Sequence, residues 1–132
     1  MPAIPTGGVH HLRLTVSDVA RAREFYTSLL GFQFLMDLPV GVLLNNGTIL
    51  LGLGPAPDHA LENDRFDENR VGLDHLSFSA PDRAALEAAE RLLNEHNVPN
   101  GGVKDLGPDF GLYILAFRDP DNIQLELTAP YS

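Results

Sequence analysis

The chain has 132 residues, of which 44% are hydrophobic and 20% are charged, with a formal net charge of −9 and no cysteine. This length predicts one domain with its own hydrophobic core. The lack of cysteine excludes disulfides and leaves any metal site to His, Asp and Glu side chains. The basic residues form no cluster and no apolar run is long enough for a membrane span, which argues against nucleic-acid and membrane partners. No secretory signal pattern is visible, so a cytoplasmic location is expected.

One unit occurs twice in the chain: a histidine, a strand of alternating polar and apolar residues, and an aspartate that begins a helix. The first copy runs from His11 to Asp18, and the second runs from His75 to Asp82. Alternation predicts a half-buried strand after each histidine, and aspartate is a favoured helix N-cap. A repeat of about half the chain length predicts that the two histidines occupy equivalent positions.

Further strands are predicted in each half from apolar runs between turn sequences. The first half is expected to have strands over 10–17, 32–38, 41–45 and 48–53, with a helix that ends at Gly31. The second half is expected to have strands over 73–79, 102–106, 111–117 and 122–128, with a helix over 82–96. These elements predict an α+β fold built from two βαβββ modules.

The single domain of residues 1–132 then consists of module one over 9–54, a linker over 55–71 and module two over 72–130. The linker has prolines at its start and a charged stretch after them, which is typical of a solvated connection. The alternative is a lid over a pocket, because Phe66 stands alone among the charged residues.

A metal site is predicted from an asymmetry between the two halves. Superposing them places Glu126 on the last strand opposite Gly52. An ionised carboxylate in a buried strand is costly unless it is paired or bound to metal. Singly, a strand histidine is more often a hydrogen-bonded core residue and a strand glutamate more often faces solvent. Together, if they face one side, His11, His75 and Glu126 form a set that binds divalent Fe, Mn, Zn, Ni or Co and leaves coordination positions open.

Strand alternation also indicates candidate substrate-binding residues. Arg13 shares the face of His11, and Ser77 shares the face of the second histidine. Arg13 could hold a carboxylate or enolate oxygen of a substrate, or it could pair with a structural carboxylate at the rim of the site. Tyr113 is a further candidate acid or hydrogen-bond donor if its strand register is suitable. By the same alternation, His10 should face away from the site.

The sequence resembles the vicinal oxygen chelate superfamily, which includes glyoxalase I, extradiol dioxygenases, fosfomycin-resistance enzymes and bleomycin-binding proteins. The resemblance extends from about residue 10 to residue 128, and it depends on the phrases HHLRLTVSDVARAREFYTSLLGF, GLDHLSFS and FRDPDNIQLEL. It implies two βαβββ modules whose sheets form a cup around a metal held by His11, His75 and Glu126. It also implies a homodimer, since members of the superfamily usually dimerise.

The resemblance leaves two functions open. In glyoxalase I a fourth ligand occupies the position of Gly52, so the chain is not expected to be glyoxalase I itself. The first function is a small metal-dependent lyase, dioxygenase or transferase that acts on an oxygen-bearing small molecule. The alternative is a protein of the bleomycin-resistance type that sequesters an antibiotic without catalysis. The retained ligand set favours the enzyme, whereas the apolar stretch 112–117 and the lack of an evident catalytic base favour sequestration.

Overall fold

The computed structural model of the protein describes residues 2–131. The chain divides into two compact units, Met1–Ala60 and Leu61–Ser132. Within the described residues, each unit contains one helix and one four-stranded sheet. The predicted α+β fold with two βαβββ modules is therefore confirmed. No helix in this part of the chain is long and apolar enough to cross a membrane.

The first unit has its core between the helix and one face of the sheet. Its elements are β1 His11–Val16, α1 Val19–Ser28, β2 Gln33–Asp37, β3 Val42–Asn45 and β4 Leu50–Pro55. The strand order is β1-β4-β3-β2, with β1 and β4 parallel and the other neighbours antiparallel. The core includes Phe25 and Tyr26 of the helix and Leu14 of β1. Because strand side chains alternate, His11 and Arg13 lie on the other, exposed face.

The second unit repeats this arrangement. Its elements are β5 Leu76–Ser79, α2 Arg83–Glu95, β6 Asn100–Asp105, β7 Leu112–Arg118 and β8 Gln124–Pro130. The strand order is β5-β8-β7-β6, with β5 and β8 parallel. Leu86 and Leu93 of the helix are buried together with Leu115 and Leu125 of the sheet. Strand ends differ from the predicted ones by up to a few residues, as expected when local patterns specify boundaries weakly.

Both predicted helix N-caps are present. The Asp18 carboxylate accepts a hydrogen bond of 3.0 Å from the Arg21 amide, and the Asp82 carboxylate accepts one of 2.9 Å from the Ala85 amide. Each bond satisfies one of the amides that have no partner inside the first turn of a helix. The repeated aspartate therefore fixes where each helix begins.

The charged segment that begins the second unit is partly bound to the turn between β7 and β8. The Phe66 amide donates to the Asp121 carbonyl, and the Asn122 side chain donates to the Phe66 carbonyl, both at 3.0 Å. Glu68 accepts two hydrogen bonds from the Arg118 guanidinium, at 2.8 and 2.7 Å. Residues 55–71 are nearly all exposed, so these contacts fasten an otherwise solvated segment at Phe66 and Glu68, through partners that the local sequence does not reveal.

Candidate metal centre

His75 lies immediately before β5 and is held by the residue that precedes it. Its Nδ1 atom lies 2.8 Å from an Asp74 carboxylate oxygen. A carboxylate only accepts hydrogen bonds, so Nδ1 carries the proton, and in the neutral ring Nε2 keeps a lone pair for a metal. The Gln124 amide donates to the same Asp74 oxygen and to the Asp74 carbonyl, each at 3.0 Å. Carboxylates in this outer position orient histidine ligands in many metal sites.

Glu126 lies on β8 beside His75. Its Oε1 atom is 3.8 Å from His75 Nε2, and its side chain is only 15% exposed. The Thr128 hydroxyl donates to Oε1 at 3.1 Å and is itself hydrogen-bonded to Ser77. Within the described residues of the second unit, no lysine or arginine forms an ion pair with Glu126. A largely buried carboxylate of this kind is costly unless a cation compensates its charge.

The spacing of His75 and Glu126 is compatible with two ligands of one ion. Metal–ligand bonds of about 2.1 Å in a tetrahedral site place neighbouring ligand atoms roughly 3.4 Å apart. The observed separation of 3.8 Å is only slightly larger. Among residues 2–131, however, no group of three or more His, Asp or Glu side chains is arranged to hold an ion.

His11 begins β1 in the first unit and is exposed. Its Nδ1 atom lies 2.8 Å from Nδ1 of His10, and the two rings meet edge to face. His10 precedes β1 and is exposed, and its contact with the adjacent His11 does not set which way it faces relative to the proposed site, so the expectation for His10 stays a prediction. His10 and Asp74 occupy equivalent positions, and each binds Nδ1 of the histidine that follows. When His11 Nδ1 donates the hydrogen bond to His10, the neutral His11 ring keeps a lone pair on Nε2 that can bind a metal.

The strand registers show that the two halves correspond as the repeat predicts. Arg13 pairs with Gly52 in the first sheet, and Ser77 pairs with Glu126 in the second. Both pairs lie two residues beyond the histidine of their module. Gly52 and Glu126 are therefore equivalent positions, and only the second module has a carboxylate there.

The structure does not bring Tyr113 to the face of β7 that adjoins Glu126. Ala116 is the register partner of Glu126, and three residues of separation place Tyr113 on the opposite face. There the Tyr113 ring is buried, stacks on Tyr131 at 4.7 Å and has the Arg83 guanidinium 5.0 Å from its centre. Its position gives no support to a role in substrate binding.

A chain of polar contacts connects the bound segment to the second histidine. Arg118 binds Glu68 and also makes a long contact of 3.5 Å with the Gln124 side-chain oxygen. The hydrogen bonds from Arg118 lower the pKa of Glu68 from 4.5 to about 2, so this carboxylate stays charged. Arg118 contacts the oxygen of the Gln124 side-chain amide, so the nitrogen of that amide lies towards Asp74. Local sequence patterns do not reveal this support for His75, since its members are far apart in the chain.

Comparison with known proteins identifies the family. The model of the Glyoxalase/Bleomycin resistance protein/Dioxygenase superfamily matches residues 8–127. The chain belongs to this superfamily. Membership of the Glyoxalase/Bleomycin resistance protein/Dioxygenase superfamily confirms the resemblance seen in the repeated motif and in the last two strands.

Individual proteins align with nearly the whole chain. YaeR of Escherichia coli K12 is 31% identical over 126 residues, covering 90% of this chain and 93% of YaeR. The metallothiol transferase FosB of Staphylococcus haemolyticus is 28% identical and covers 91% of this chain and 81% of its own. A glyoxalase/bleomycin resistance protein/dioxygenase domain from Frankia has a TM-score of 0.81 at 32% identity, covering 96% of this chain and 99% of its own.

Proposed function

We propose that this protein is a metal-dependent enzyme of the superfamily whose divalent ion is held by His11, His75 and Glu126. The observation that carries the proposal is the pair formed by His75 Nε2 and Glu126 Oε1, with Nδ1 of the histidine already bound to Asp74. A histidine with one nitrogen fixed by a carboxylate, beside a buried carboxylate, is what a metal site requires before the ion binds. The repeat supplies His11 as the third ligand.

The ion, when bound, would polarise the oxygen atoms of a small oxygen-bearing substrate. Glu126 contributes the only negative charge of the ligand set and so leaves a net positive charge for substrate oxygens. Thr128 and Ser77 hold the carboxylate in its orientation, and Asp74 keeps the imidazole of His75 in its metal-binding tautomer. The name of FosB describes a metallothiol transferase, which supports a metal-dependent reaction of lyase, dioxygenase or transferase type in this chain.

Metal binding tests this proposal directly. We expect the purified protein to contain a divalent metal by mass spectrometry, and to bind Zn(II) or Ni(II) by calorimetry. His11→Ala and Glu126→Ala should each weaken binding by roughly a hundredfold or more, while circular dichroism confirms that they fold. His96→Ala and Glu95→Ala are matched controls, because both side chains are exposed at the end of α2. Equal affinity in all four variants would overturn the proposal.

Sequestration is the second candidate function, and the face of β7 beside Glu126 favours it. Leu112, Ile114 and Ala116 lie on this face and are only half-buried, so an apolar compound could pack there without any reaction. A panel of apolar antibiotics should then raise the unfolding temperature equally with and without a chelator. For the enzyme, stabilisation by an oxygen-chelating compound should disappear when the chelator removes the metal.

Two further properties of the protein are proposed from the family. We infer a homodimer, since dimers are common among its members, and light scattering would show a monomer if this is incorrect. A cytoplasmic location stays a prediction, which fractionation of cells that produce the protein can test.

A further inference from the structure

The Arg13 side chain lies across β4 where that strand has no side chains of its own. A Cβ atom added at Gly52 would lie 3.6 Å from Arg13 Cγ and Nη1, which is an ordinary contact. A Cβ atom added at Gly54 would lie 2.7 Å from Arg13 Cζ and would overlap Nη2. The guanidinium therefore occupies the space that any other residue at position 54 would fill.

One hydrogen bond fixes the guanidinium in this place. Arg13 Nη2 donates to the Val40 carbonyl at 3.0 Å. A guanidinium has five N–H donors and cannot lose its charge in a protein. In residues 2–60, Arg13 forms no ion pair with a carboxylate, and its side chain is exposed. The first unit thus presents a cation whose position is fixed and whose remaining donors can bind an external anion.

The position of the guanidinium determines which part of a substrate it can reach. Gly54 pairs with Thr15, which lies four residues beyond His11 on β1. A parallel strand rises about 3.3 Å per residue, so the guanidinium lies roughly 10 Å or more from the histidine along the sheet. An enolate oxygen bound to the ion would lie about 2 Å from the ion, near the His11 end of this distance. The guanidinium position lies towards the other end. It suits an anionic group at the other end of a substrate.

We propose that Arg13, seated over Gly54, is an anion subsite, so that the substrate carries a carboxylate about 10 Å from its metal-chelating oxygens. This inference deepens the proposed function and rests on it. It assigns the arginine one of the two roles that sequence alone left open. A planar guanidinium binds a carboxylate through two parallel hydrogen bonds, which gives the subsite its selectivity for this group.

A pair of hydroxamates can test the subsite. A hydroxamate binds divalent metals through two adjacent oxygens, and suberic monohydroxamic acid carries a carboxylate at the far end of its chain. Its primary amide is the neutral counterpart. On the Ni(II)-loaded protein we expect the acid to bind roughly ten- to a hundredfold more tightly than the amide, as charge-assisted hydrogen bonds are worth this much.

Two glycine variants separate the position of Arg13 from its mere presence. Gly54→Ala should displace the guanidinium and remove the preference for the acid, although the arginine is still there. Gly52→Ala should keep the preference, because its added methyl group makes only an ordinary contact. Arg13→Gln should behave like Gly54→Ala. If Gly54→Ala keeps the preference, or if the original chain has none, the inference is wrong.

A metal-free experiment separates this inference from the proposed function. The Nε–H resonance of Arg13, assigned by its loss in Arg13→Gln, should shift on addition of the acid and not on addition of the amide. If this occurs in a protein that binds no metal, the anion subsite stands and the metal-dependent function fails. If metal binds but neither experiment distinguishes acid from amide, the function stands and the subsite fails.

Discussion

At equivalent pairs of neighbouring strand residues, the first module carries a cationic side chain and the second module an anionic one. In the first module, Arg13 on the first strand pairs with Gly52 on the fourth. In the second, Ser77 on the first strand pairs with Glu126 on the fourth. Each sheet thus carries one long side chain and one short one at this place, but the long one is a cation in one module and an anion in the other. The same backbone positions therefore carry the proposed anion subsite in one module and the proposed metal ligand in the other.

This difference shows which positions the fold needs and which are free for function. The aspartate caps and the apolar side chains that pack against each helix are alike in both modules because the core depends on them. Side chains on the other face of each sheet contribute little to that core. They can diverge without loss of the fold, and the proposed functional side chains lie there.

The support for the two histidines differs between the modules in the same way. Asp74 offers His75 a carboxylate acceptor, whereas His10 offers His11 an imidazole ring at the same distance of 2.8 Å. A carboxylate fixes the tautomer of its partner, while a second imidazole can donate or accept. Asp74 should therefore contribute more to metal affinity than His10 does.

The largest effect expected from this comparison is on metal affinity. Asp74→Ala should weaken binding of Zn(II) about ten- to a hundredfold, as is typical for loss of an outer-shell carboxylate. His10→Ala should weaken it by less, and calorimetry on both variants gives the ratio. Asp109→Ala is the control, since Asp109 is an exposed acid in the turn before β7. A greater loss in His10→Ala would mean that the first module, not the second, organises the site.

Local pattern accounts for the elements that the sequence predicts correctly. The helix starts follow from Asp18 and Asp82, and the strands follow from alternation between polar and apolar residues. The difference between Gly52 and Glu126 follows from aligning the two copies of the repeat. Each of these signals is contained in a few neighbouring residues or in their repetition.

The features that the sequence does not predict depend on contacts between distant residues. Glu68 and Arg118 are 50 positions apart, and no local pattern relates them. The face on which Tyr113 lies depends on the register of β7, which places its ring against Tyr131. The direction of Arg13 depends on the strand pairing, which sets Gly52 beside it, and on the hydrogen bond to the distant Val40 carbonyl, which holds the guanidinium over Gly54.

A smaller effect is expected at the ion pair between Glu68 and Arg118 in the second unit. The pKa of Glu68 is lowered from 4.5 to about 2, so its contact with Arg118 stabilises the fold fully above pH 4.5 and is lost as the pH falls towards 2. Glu68→Gln should therefore lower the unfolding temperature at pH 7 by up to a few degrees, because an ion pair near the surface contributes little, and this difference should shrink in acid. Circular dichroism over this pH range measures both.

The control for the ion pair is Glu62→Gln, because Glu62 is exposed in the same segment. It should leave the unfolding temperature almost unchanged at every pH. If Glu68→Gln gives the same difference from the original chain at pH 7 and at pH 2.5, the charge of Glu68 does not stabilise the second unit.

The smallest effect is expected on the free energy of unfolding when a helix cap is removed, because the caps are where the two modules are most alike. Asp18→Ala and Asp82→Ala should each reduce the free energy of unfolding by about 1 kcal/mol, because each removes one cap from a helix of its own module. Asp18→Asn and Asp82→Asn should restore most of this loss, since asparagine caps nearly as well. Urea unfolding of the four variants tests whether the two losses agree. Losses that differ severalfold would show that the modules are equivalent in geometry and not in energy, because the caps have the same bond lengths within 0.1 Å, at 3.0 and 2.9 Å.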